Sequence, residues 1–296
     1  MSDTLESLRR KIDGAGDLES VVRSMKALAA ASVGQYERSV LALADYYRTI
    51  EMSLAVCLRH RGKRVAETDE PQGPSSKTVT AVVFGSDQGL VGQFNDLIAD
   101  YSIKVLDSLP GDKRVWAVGE RIQARLADAG HQPVGVFPVP TAVNSISRLV
   151  GQILIETQAT LGDGEIVQLY LFHNRPLGGA AYEPVGQCLL PLDQATSLRL
   201  AHFPWPTKSL PEVIGDTELT LKALVAEYLF VSLFKCCSES LAGENTSRLA
   251  AMQRAEKNID ELAEELNQTF RRLRQSSIDE ELFDVISGYE SLSKPT

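Results

Sequence analysis

Both ends of the chain are long stretches without proline, and they limit what the chain can fold into more than any other feature. Residues 3 to about 60 lack proline and are rich in Ala, Leu, Arg and Glu, and residues 216–290 lack proline as well. Because proline breaks a helix interior, each stretch can form one continuous helix. At 1.5 Å per residue the first would be about 85 Å long and the second of order 100 Å. Helices of this length would expose their apolar positions unless they paired with each other.

Apolar residues recur at helical spacing in both stretches, as pairing requires. The first carries Leu5, Leu8, Ile12, Val22, Met25, Ala29, Tyr36, Leu43, Ile50 and Leu54. The second has a seven-residue pattern of Asn245, Met252, Ile259, Leu266 and Leu273, with Arg248, Ala255, Leu262, Thr269 and Ser276 in companion positions. A heptad pattern forms a coiled-coil seam, and its small and polar members suit a closely packed partner. We therefore predict a long antiparallel coiled coil of the two ends.

Two glycines weaken the first helix. Gly14 and Gly16 each cost up to about 1 kcal/mol relative to alanine in a helix interior. Asp17 could cap a restarted helix, with Ser20 following it. The sequence therefore predicts a kink or a short break at residues 13–17.

The middle of the chain alternates between strand-like and helix-like segments. After a linker at 61–77 rich in Pro, Ser and charge, strands are predicted at 78–84, 114–118, 135–138 and 165–173, with a further one at 187–191. Helices are predicted at 95–109, 119–128 and 144–161, and the prolines of 202–216 predict a loop. This order favours a small Rossmann-like α/β domain with a largely parallel sheet. The predicted division is 1–60, N-terminal coiled-coil helix; 61–215, α/β domain with linker and foot loop; 216–296, C-terminal coiled-coil helix.

Composition excludes several classes of protein. The chain is 44% hydrophobic and 23% charged, which is typical of a globular protein, and its net charge is −9 with dispersed Lys and Arg. We therefore expect no nucleic-acid partner. No apolar run approaches the roughly 20 residues that span a bilayer, and the N-terminus lacks the apolar stretch of a signal peptide. We expect no direct membrane span.

The stretch "FGSDQGLVGQFN" at 84–95 places three glycines between a predicted strand and a predicted helix, where many proteins bind phosphate. It does not fit the known templates. No Lys follows as in a Walker loop, and the spacing Gly-x-x-x-Gly-x-x-Gly differs from the dinucleotide fingerprint. Asp87 would also put a negative charge inside a phosphate cradle. We interpret the stretch as a tight strand-to-helix turn, with a nucleotide site as the alternative.

No other pattern points to catalysis or a bound cofactor. His131 and His173 have no neighbouring nucleophile motif, and no group of Asp, Glu and His has metal-ligand spacing. The four cysteines also lack metal-type spacing, and we interpret Cys236 and Cys237, in an apolar stretch, as buried hydrophobic residues. We expect no cofactor, no metal and no catalytic residue.

Three stretches together resemble the gamma subunit of F-type ATP synthases, the central rotor shaft. Near the N-terminus, "LRRKI" and "VVRSMKALAAAS" are similar to the Arg-rich start of the family and its Met-Lys-x-(x)-Ala-Ala segment. The glycine stretch is similar to the family loop Ser-Asp-Arg-Gly-Leu-Cys-Gly-Gly-x-Asn. The C-terminal stretch resembles the family signature through Glu244, Arg248, Ala251, Met252, Ala255, Asn258, Arg274, Gln275, Ile278, Glu281, Leu282 and Gly288. The resemblance covers essentially the whole chain, and its C-terminal part is the specific one.

The resemblance implies a mechanical function. The coiled coil would stand in a hexamer of alternating alpha and beta subunits and, as it turns, would favour different beta conformations. The nucleotides would lie on those subunits and not on this chain. Further partners implied are the epsilon subunit and the membrane ion-ring subunits. The implied location is that of a peripheral membrane protein on the cytoplasmic face of a bacterial inner membrane.

The resemblance also assigns roles to six residues. Met25, Lys26, Glu244 and Arg248 match positions at the beta-facing collar of the shaft. Arg274 and Gln275 match a pair that hydrogen-bonds the catch loops of the surrounding subunits. An arginine suits that task because its planar fork binds carboxylates with fixed geometry.

The chain also departs from the family pattern. Gln88 replaces the loop arginine, Val91 the loop cysteine, Arg271 an asparagine and Asp279 a threonine beside the catch pair. Such departures are typical of a divergent branch, for example an alternate ATPase that pumps ions at the expense of ATP. The alternative function is a coiled-coil scaffold that carries an α/β nucleotide-binding or enzymatic module.

Overall fold

The computed structural model describes residues 4–62, 78–159, 168–179, 181–191, 205–209 and 211–292. The chain divides into two compact units. The first contains Met1–Leu28 and Leu249–Thr296, and the second contains Ala29–Arg248. Each of the two long helices contributes residues to both units.

The first and last elements are helix α1, Leu5–Gly62, of 58 residues, and helix α5, Thr217–Leu292, of 76 residues. Both predicted long helices are therefore present. Asp216 caps the start of α5, because its carboxylate accepts the backbone N–H of Glu218 at 2.8 Å. This cap and the prolines before it fix where the last helix begins.

The expected break at residues 13–17 is wrong, because α1 continues through them without interruption. The two glycines lower helix propensity, but the turn that holds them is stabilised by packing. Leu8 and Ala15 on this part of α1 are 1% and 4% exposed. Tertiary burial of one helix face contributes more than the roughly 1 kcal/mol that each glycine costs. Asp17 is thus an interior helical residue and not a cap.

Helix pairing is antiparallel, as the contacts in the second unit show. The Tyr46 hydroxyl donates to Glu227 at 2.5 Å, and the ring of Tyr47 lies 6.0 Å from that of Tyr228. Tyr36 lies earlier in α1 and is near Glu244 of α5. Burial raises the pKa of Tyr36, and the Glu244 carboxylate raises it further. As the residue numbers of the contacts decrease along α1, those of their partners on α5 therefore increase. The prediction of an antiparallel pair is confirmed.

The predicted heptad seam is correct in its first row and in part of its companion row, where Arg248, Ala255 and Thr269 are half-buried. Its first row, Asn245, Met252, Ile259, Leu266 and Leu273, is buried or half-buried throughout. In the companion row, Leu262 is 48% exposed and Ser276 is also exposed, while the neighbouring Ala263 is half-buried. A straight α-helix drifts about 20° per heptad, so the buried stripe moves off a fixed seven-residue spacing.

In the described residues, the middle of the chain forms a five-stranded sheet with three helices. The strands are β1 Val79–Phe84, β2 Lys113–Val118, β3 Gly135–Phe137, β4 Gln168–Gly178 and β5 Ala181–Leu190. The helices are α2 Phe94–Ser108, α3 Glu120–Asp128 and α4 Val143–Ala159. The strand order is β3-β2-β1-β4-β5, with β5 antiparallel to β4 and the other pairs parallel.

The α/β alternation and the largely parallel sheet are confirmed. The two predicted strands of the hairpin were too short, because β4 extends to Gly178 and β5 begins at Ala181 and not at 187. In the segment 202–216, residues 205–209 and 211–216 form neither helix nor strand, as predicted. The predicted strand residues 165–167, helix residues 160–161 and linker residues 63–77 lie outside the described residues, whereas 61–62 belong to α1.

The sheet is covered on both faces. Val79, Ala81 and Val83 of β1 pack with Ile98 of α2 and Ile122 of α3. The alternate residues Val82 and Phe84 join a second core cluster with side chains from α1, α4 and α5. Burial on both faces explains why β1 is a continuous apolar run without alternation.

We predict that Gly119→Ala destabilises the second unit by about 3 kcal/mol. Gly119 has φ +115°, and a Cβ there would lie 2.6 Å from the Ser86 carbonyl oxygen, which is backbone and cannot move aside. Gly34→Ala in α1 is the matched control, because no atom lies within 4 Å of its added Cβ. That variant should be more stable by about 1 kcal/mol, the helix-propensity difference. Urea unfolding followed by circular dichroism measures both, and equal effects of the two substitutions would contradict this reading.

Candidate functional site

The glycine stretch at 84–95 is closed by its own side chains. The Asp87 carboxylate accepts the backbone N–H of Glu120 at 3.1 Å and that of Val139 at 2.9 Å. Ser86 and Asn95 exchange two hydrogen bonds, with the Ser86 N–H donating to Asn95 Oδ1 at 3.0 Å and Asn95 Nδ2 donating to Ser86 Oγ at 2.8 Å. The N-terminus of the neighbouring helix α3 therefore already holds a carboxylate from the stretch, which puts a negative charge beside any phosphate bound there.

The same stretch is attached to α5 and to β4. Ser247 Oγ on α5 donates to the Val91 carbonyl at 2.5 Å, and Asn174 Nδ2 on β4 donates to the Phe94 carbonyl at 2.8 Å. Gly85 allows a close approach, because a Cβ there would lie 2.4 Å from Cβ of Ile122. The stretch thus contacts strand β4 and helices α3 and α5. This supports a structural turn over a ligand loop.

We predict that the isolated chain binds no ATP. The open cleft beside the stretch, about 370 Å³, is lined by Asp96 and Asp128 as well as Arg121 and Arg125. Arg125 is paired with Asp96, so little positive charge is left for a triphosphate. Calorimetric titration with Mg-ATP should give no saturable heat. A micromolar isotherm would contradict the prediction and reopen the stretch as a nucleotide site.

Glu244 and Arg248 form a buried ion pair on α5 in the second unit. Arg248 Nη2 donates to Glu244 Oε1 at 2.6 Å, and the two side chains are 13% and 7% exposed. Burial raises the pKa of Glu244 although the guanidinium acts to lower it, and the nearby Asp87 carboxylate raises it further. Within the described part of the chain, Glu244 Oε2 and Arg248 Nε have no hydrogen-bond partner. Both atoms are buried, so the pair is enclosed within this chain.

Lys26 forms a second pair, in the first unit. Its Nζ lies 2.5 Å from Glu256 Oε2 on α5, and Arg23 Nε lies 3.7 Å from the other oxygen of the same carboxylate. The hydrogen bond from Lys26 lowers the pKa of Glu256, with smaller contributions from the charges of Lys26 and Arg23. Met25, the residue before Lys26, is half-buried. These contacts fasten α1 to α5 inside the first unit.

Arg274 and Gln275 are exposed near the end of α5. Large apolar side chains of the following turns are exposed as well, namely Ile278, Leu282, Phe283, Val285 and Ile286, at 45–69%. Exposed apolar patches of this kind mark surfaces that other molecules cover. The end of α5 therefore combines a free guanidinium surface with an uncovered apolar one.

Comparison with known proteins identifies the family. The ATP synthase family profile matches residues 4–292. The chain belongs to this ATP synthase family. It is 28% identical to the ATP synthase gamma chain of Gluconobacter oxydans and 24% identical to that of Bdellovibrio bacteriovorus, each over 98% of this chain and 99% of the relative.

Solved structures share the fold of this ATP synthase family member. A chain of the Euglena gracilis mitochondrial ATP synthase superposes with a TM-score of 0.67 and 15% identity, over 97% of this chain and 94% of that one. A rotor chain of the same organism's enzyme gives 0.60 at 16% identity, over 93% and 98%. The long terminal helices and the central sheet are therefore a known arrangement.

The structure brings together only one of the predicted pairs of site residues by direct contact, Glu244 with Arg248. Lys26 contacts Glu256, which the sequence analysis did not single out. Arg274 and Gln275 share the exposed end of α5 and remain a predicted contact pair for other subunits. In the described ranges of this ATP synthase family member, no group of three His, Cys, Asp or Glu could hold a metal, and no helix is long and apolar enough to cross a membrane.

Sequence reasoning missed one buried pair, His173 with Glu239. His173 was treated as isolated, but its Nε2 lies 2.7 Å from Glu239 Oε2 on α5. The sequence does contain a signal for the burial of His173. The strand period of two places His173 on the face of Leu169 and Leu171, whose side chains join the core cluster that contains α5 residues. The identity of a partner 66 positions away carries no comparable sequence signal.

Proposed function

We propose that this chain is the gamma subunit of a membrane-attached rotary F-type ATP synthase or ATPase, the central shaft that couples ion flow to ATP chemistry by rotation. The observation that carries the proposal is the match to ATP synthase gamma chains over nearly the full length of both chains. The fold supports it, since long paired helices can transmit a rotation through a ring of subunits. Each rotor angle favours one conformation of a surrounding subunit through differential contacts.

We further propose that the partners are the alpha and beta subunits of the catalytic hexamer, the epsilon subunit and the membrane ion-ring subunits. The exposed apolar end of α5 supports a hexamer partner, because burying it in a surrounding sleeve would remove it from water. The coiled-coil segments 1–60 and 216–296 would form the shaft, and residues 61–215 would form the α/β domain with its linker and foot loop. The assembly would sit on the cytoplasmic face of a bacterial inner membrane.

In this proposal the six predicted residues act by contact and not by bond chemistry. Met25, Lys26, Glu244 and Arg248 would form a collar facing beta, and Arg274 with Gln275 would hydrogen-bond the catch loops of the surrounding subunits. The exposure of the last two supports a role outside this chain. The chain itself would catalyse no reaction.

Co-purification tests the proposal. The chain would be tagged and extracted from membranes in mild detergent, and the accompanying proteins would be identified and assayed. We expect alpha, beta and ring subunits together with ATPase activity. Recovery of the chain alone, from cells whose ATP synthase is intact, would contradict the rotor function and favour a coiled-coil scaffold.

A further inference from the structure

A buried ion pair connects strand β4 to helix α5. His173 is 2% exposed and Glu239 is 8% exposed, and the imidazole Nε2 lies 2.7 Å from Glu239 Oε2. The two residues belong to the same compact unit. Apolar side chains such as Leu171 on the sheet and Leu233 on α5 belong to the same core cluster. Apolar contacts are not directional, whereas this hydrogen-bonded pair makes strand and helix meet with a defined geometry.

The charged and titratable groups around the pair come from four elements. On α5, Lys235 Nζ lies 3.9 Å from the other Glu239 oxygen. On α1, the ring of Tyr47 lies 5.1 Å below the same ammonium, and Glu51 and Arg48 line the adjoining groove of about 750 Å³. The remaining groups are Cys236 on α5, Arg175 on β4 and Glu183 on β5.

These surroundings favour the charged form of both partners. Burial by itself would lower the pKa of His173, but the neighbouring Cys236 and Glu239 outweigh it and raise this pKa to about 9. Burial would raise the pKa of Glu239, but the hydrogen bond and charge of His173, with Lys235 and Arg175, lower it overall. The raised pKa of His173 and the lowered pKa of Glu239 both favour an imidazolium that donates to a carboxylate.

A buried ion pair costs desolvation, so an apolar pair of similar volume could hold the two elements as firmly. What an ion pair adds is a single register, because one strand position must face one helix position. We propose that His173 and Glu239 are positioning residues that fix the register of the sheet on helix α5, so that force applied to the α/β layer turns the long helix without slip. The contact between His173 and Glu239 is observed in the structure, whereas its role in transmitting rotation rests on the proposed function.

The stabilisation that the His173–Glu239 pair contributes depends on pH. The folded pKa of His173, about 9, lies above its ordinary value of 6.5, so its stabilisation is complete below pH 6.5 and is lost as the pH rises through about 9. The folded pKa of Glu239 is lowered, so its stabilisation is present above its ordinary pKa and lost as the pH falls through the lowered value. The register contact should be strongest between mildly acidic and neutral pH.

The first test is thermal unfolding of the full-length chain at pH 7 and pH 10. Glu239→Gln should lower Tm at pH 7 by about 10 °C, because it leaves a buried imidazole without its carboxylate. It should also remove most of the fall in Tm between pH 7 and pH 10. The matched control is Glu183→Gln, which breaks an exposed pair on the adjoining hairpin and should shift Tm by no more than about 2 °C. If Tm of the Glu239→Gln chain fell between pH 7 and pH 10 as much as that of the native chain, the His173–Glu239 pair would not stabilise the contact between sheet and helix, and the proposal would be refuted.

The second test separates positioning from stability. The double variant His173→Leu/Glu239→Leu replaces both charges by apolar side chains and should recover most of the lost Tm. In inverted membrane vesicles we expect it to hydrolyse ATP but to transport fewer ions per ATP than the native complex. Full coupling in the double variant would show that the pair only stabilises the fold, which overturns the positioning role. If the native chain is absent from any ATPase complex, the proposed function fails. The Tm profiles still decide whether the His173–Glu239 pair holds the sheet to helix α5.

Discussion

Arg248→Met should lower the free energy of unfolding of the second unit by about 3–5 kcal/mol. The substitution leaves the Glu244 carboxylate, on a side chain that is 7% exposed, without the guanidinium that it contacts at 2.6 Å. The pKa of Glu244 is already raised by burial, and without Arg248 it should rise further. The loss should therefore be smallest in acid, where the carboxyl group is protonated, and should grow as the pH rises. Urea unfolding at several pH values measures it.

Two companion variants make the Arg248 prediction specific. Glu244→Leu combined with Arg248→Met removes both charges and should recover most of the stability, since apolar replacement of a whole buried pair is often neutral. Arg125→Met breaks the half-exposed pair with Asp96 and should cost no more than about 1 kcal/mol. If Arg248→Met costs as little as Arg125→Met, the buried pair does not stabilise the fold as described.

Arg274→Ala combined with Gln275→Ala should lower the catalytic turnover of the assembled complex by about 10- to 100-fold. The estimate takes one charge-assisted hydrogen bond to another subunit as worth 1.5–3 kcal/mol. Both side chains are exposed in this chain, so its own fold should be unchanged. The measurement is steady-state ATP hydrolysis by the purified complex, with circular dichroism of the free chain beside it.

The control for the catch pair is Arg254→Ala, which removes an exposed arginine about five turns earlier on the same helix. It should leave turnover within about twofold, the effect of a surface substitution. Unchanged turnover in the Arg274/Gln275 double variant would refute the roles assigned to these two residues. Asp279, where the family has threonine, is exposed on the next turn and would be the position to examine then.

The fold could be predicted where local physics decides it. Absence of proline and regular apolar spacing predicted both long helices, and a continuous apolar run predicted β1, which is buried on both faces. Prediction failed where tertiary packing decides. The glycines at 14 and 16 do not interrupt α1, because packing of this helix face offsets their low propensity.

The site was predictable only in part, for the same reason. Glu244 and Arg248 are four positions apart on one helix, so their pairing follows from helical geometry. Lys26 and Glu256 are 230 positions apart, and His173 and Glu239 are 66 apart on different elements. Spacing cannot identify such partners, because only the folded register brings them together. The roles of Arg274 and Gln275 depend on other chains, and a single sequence reaches them through family resemblance alone.

Rotation of the chain within its complex is the most direct test of the central claim. The complex would be immobilised through its catalytic subunits, with a bead attached to an exposed position of the α/β domain such as Lys208. Addition of ATP should produce continuous rotation in one direction, and rotation should stop when ATP is removed. ATP hydrolysis by a complex in which this chain stays at a fixed angle would contradict the account of the chain as a rotor shaft.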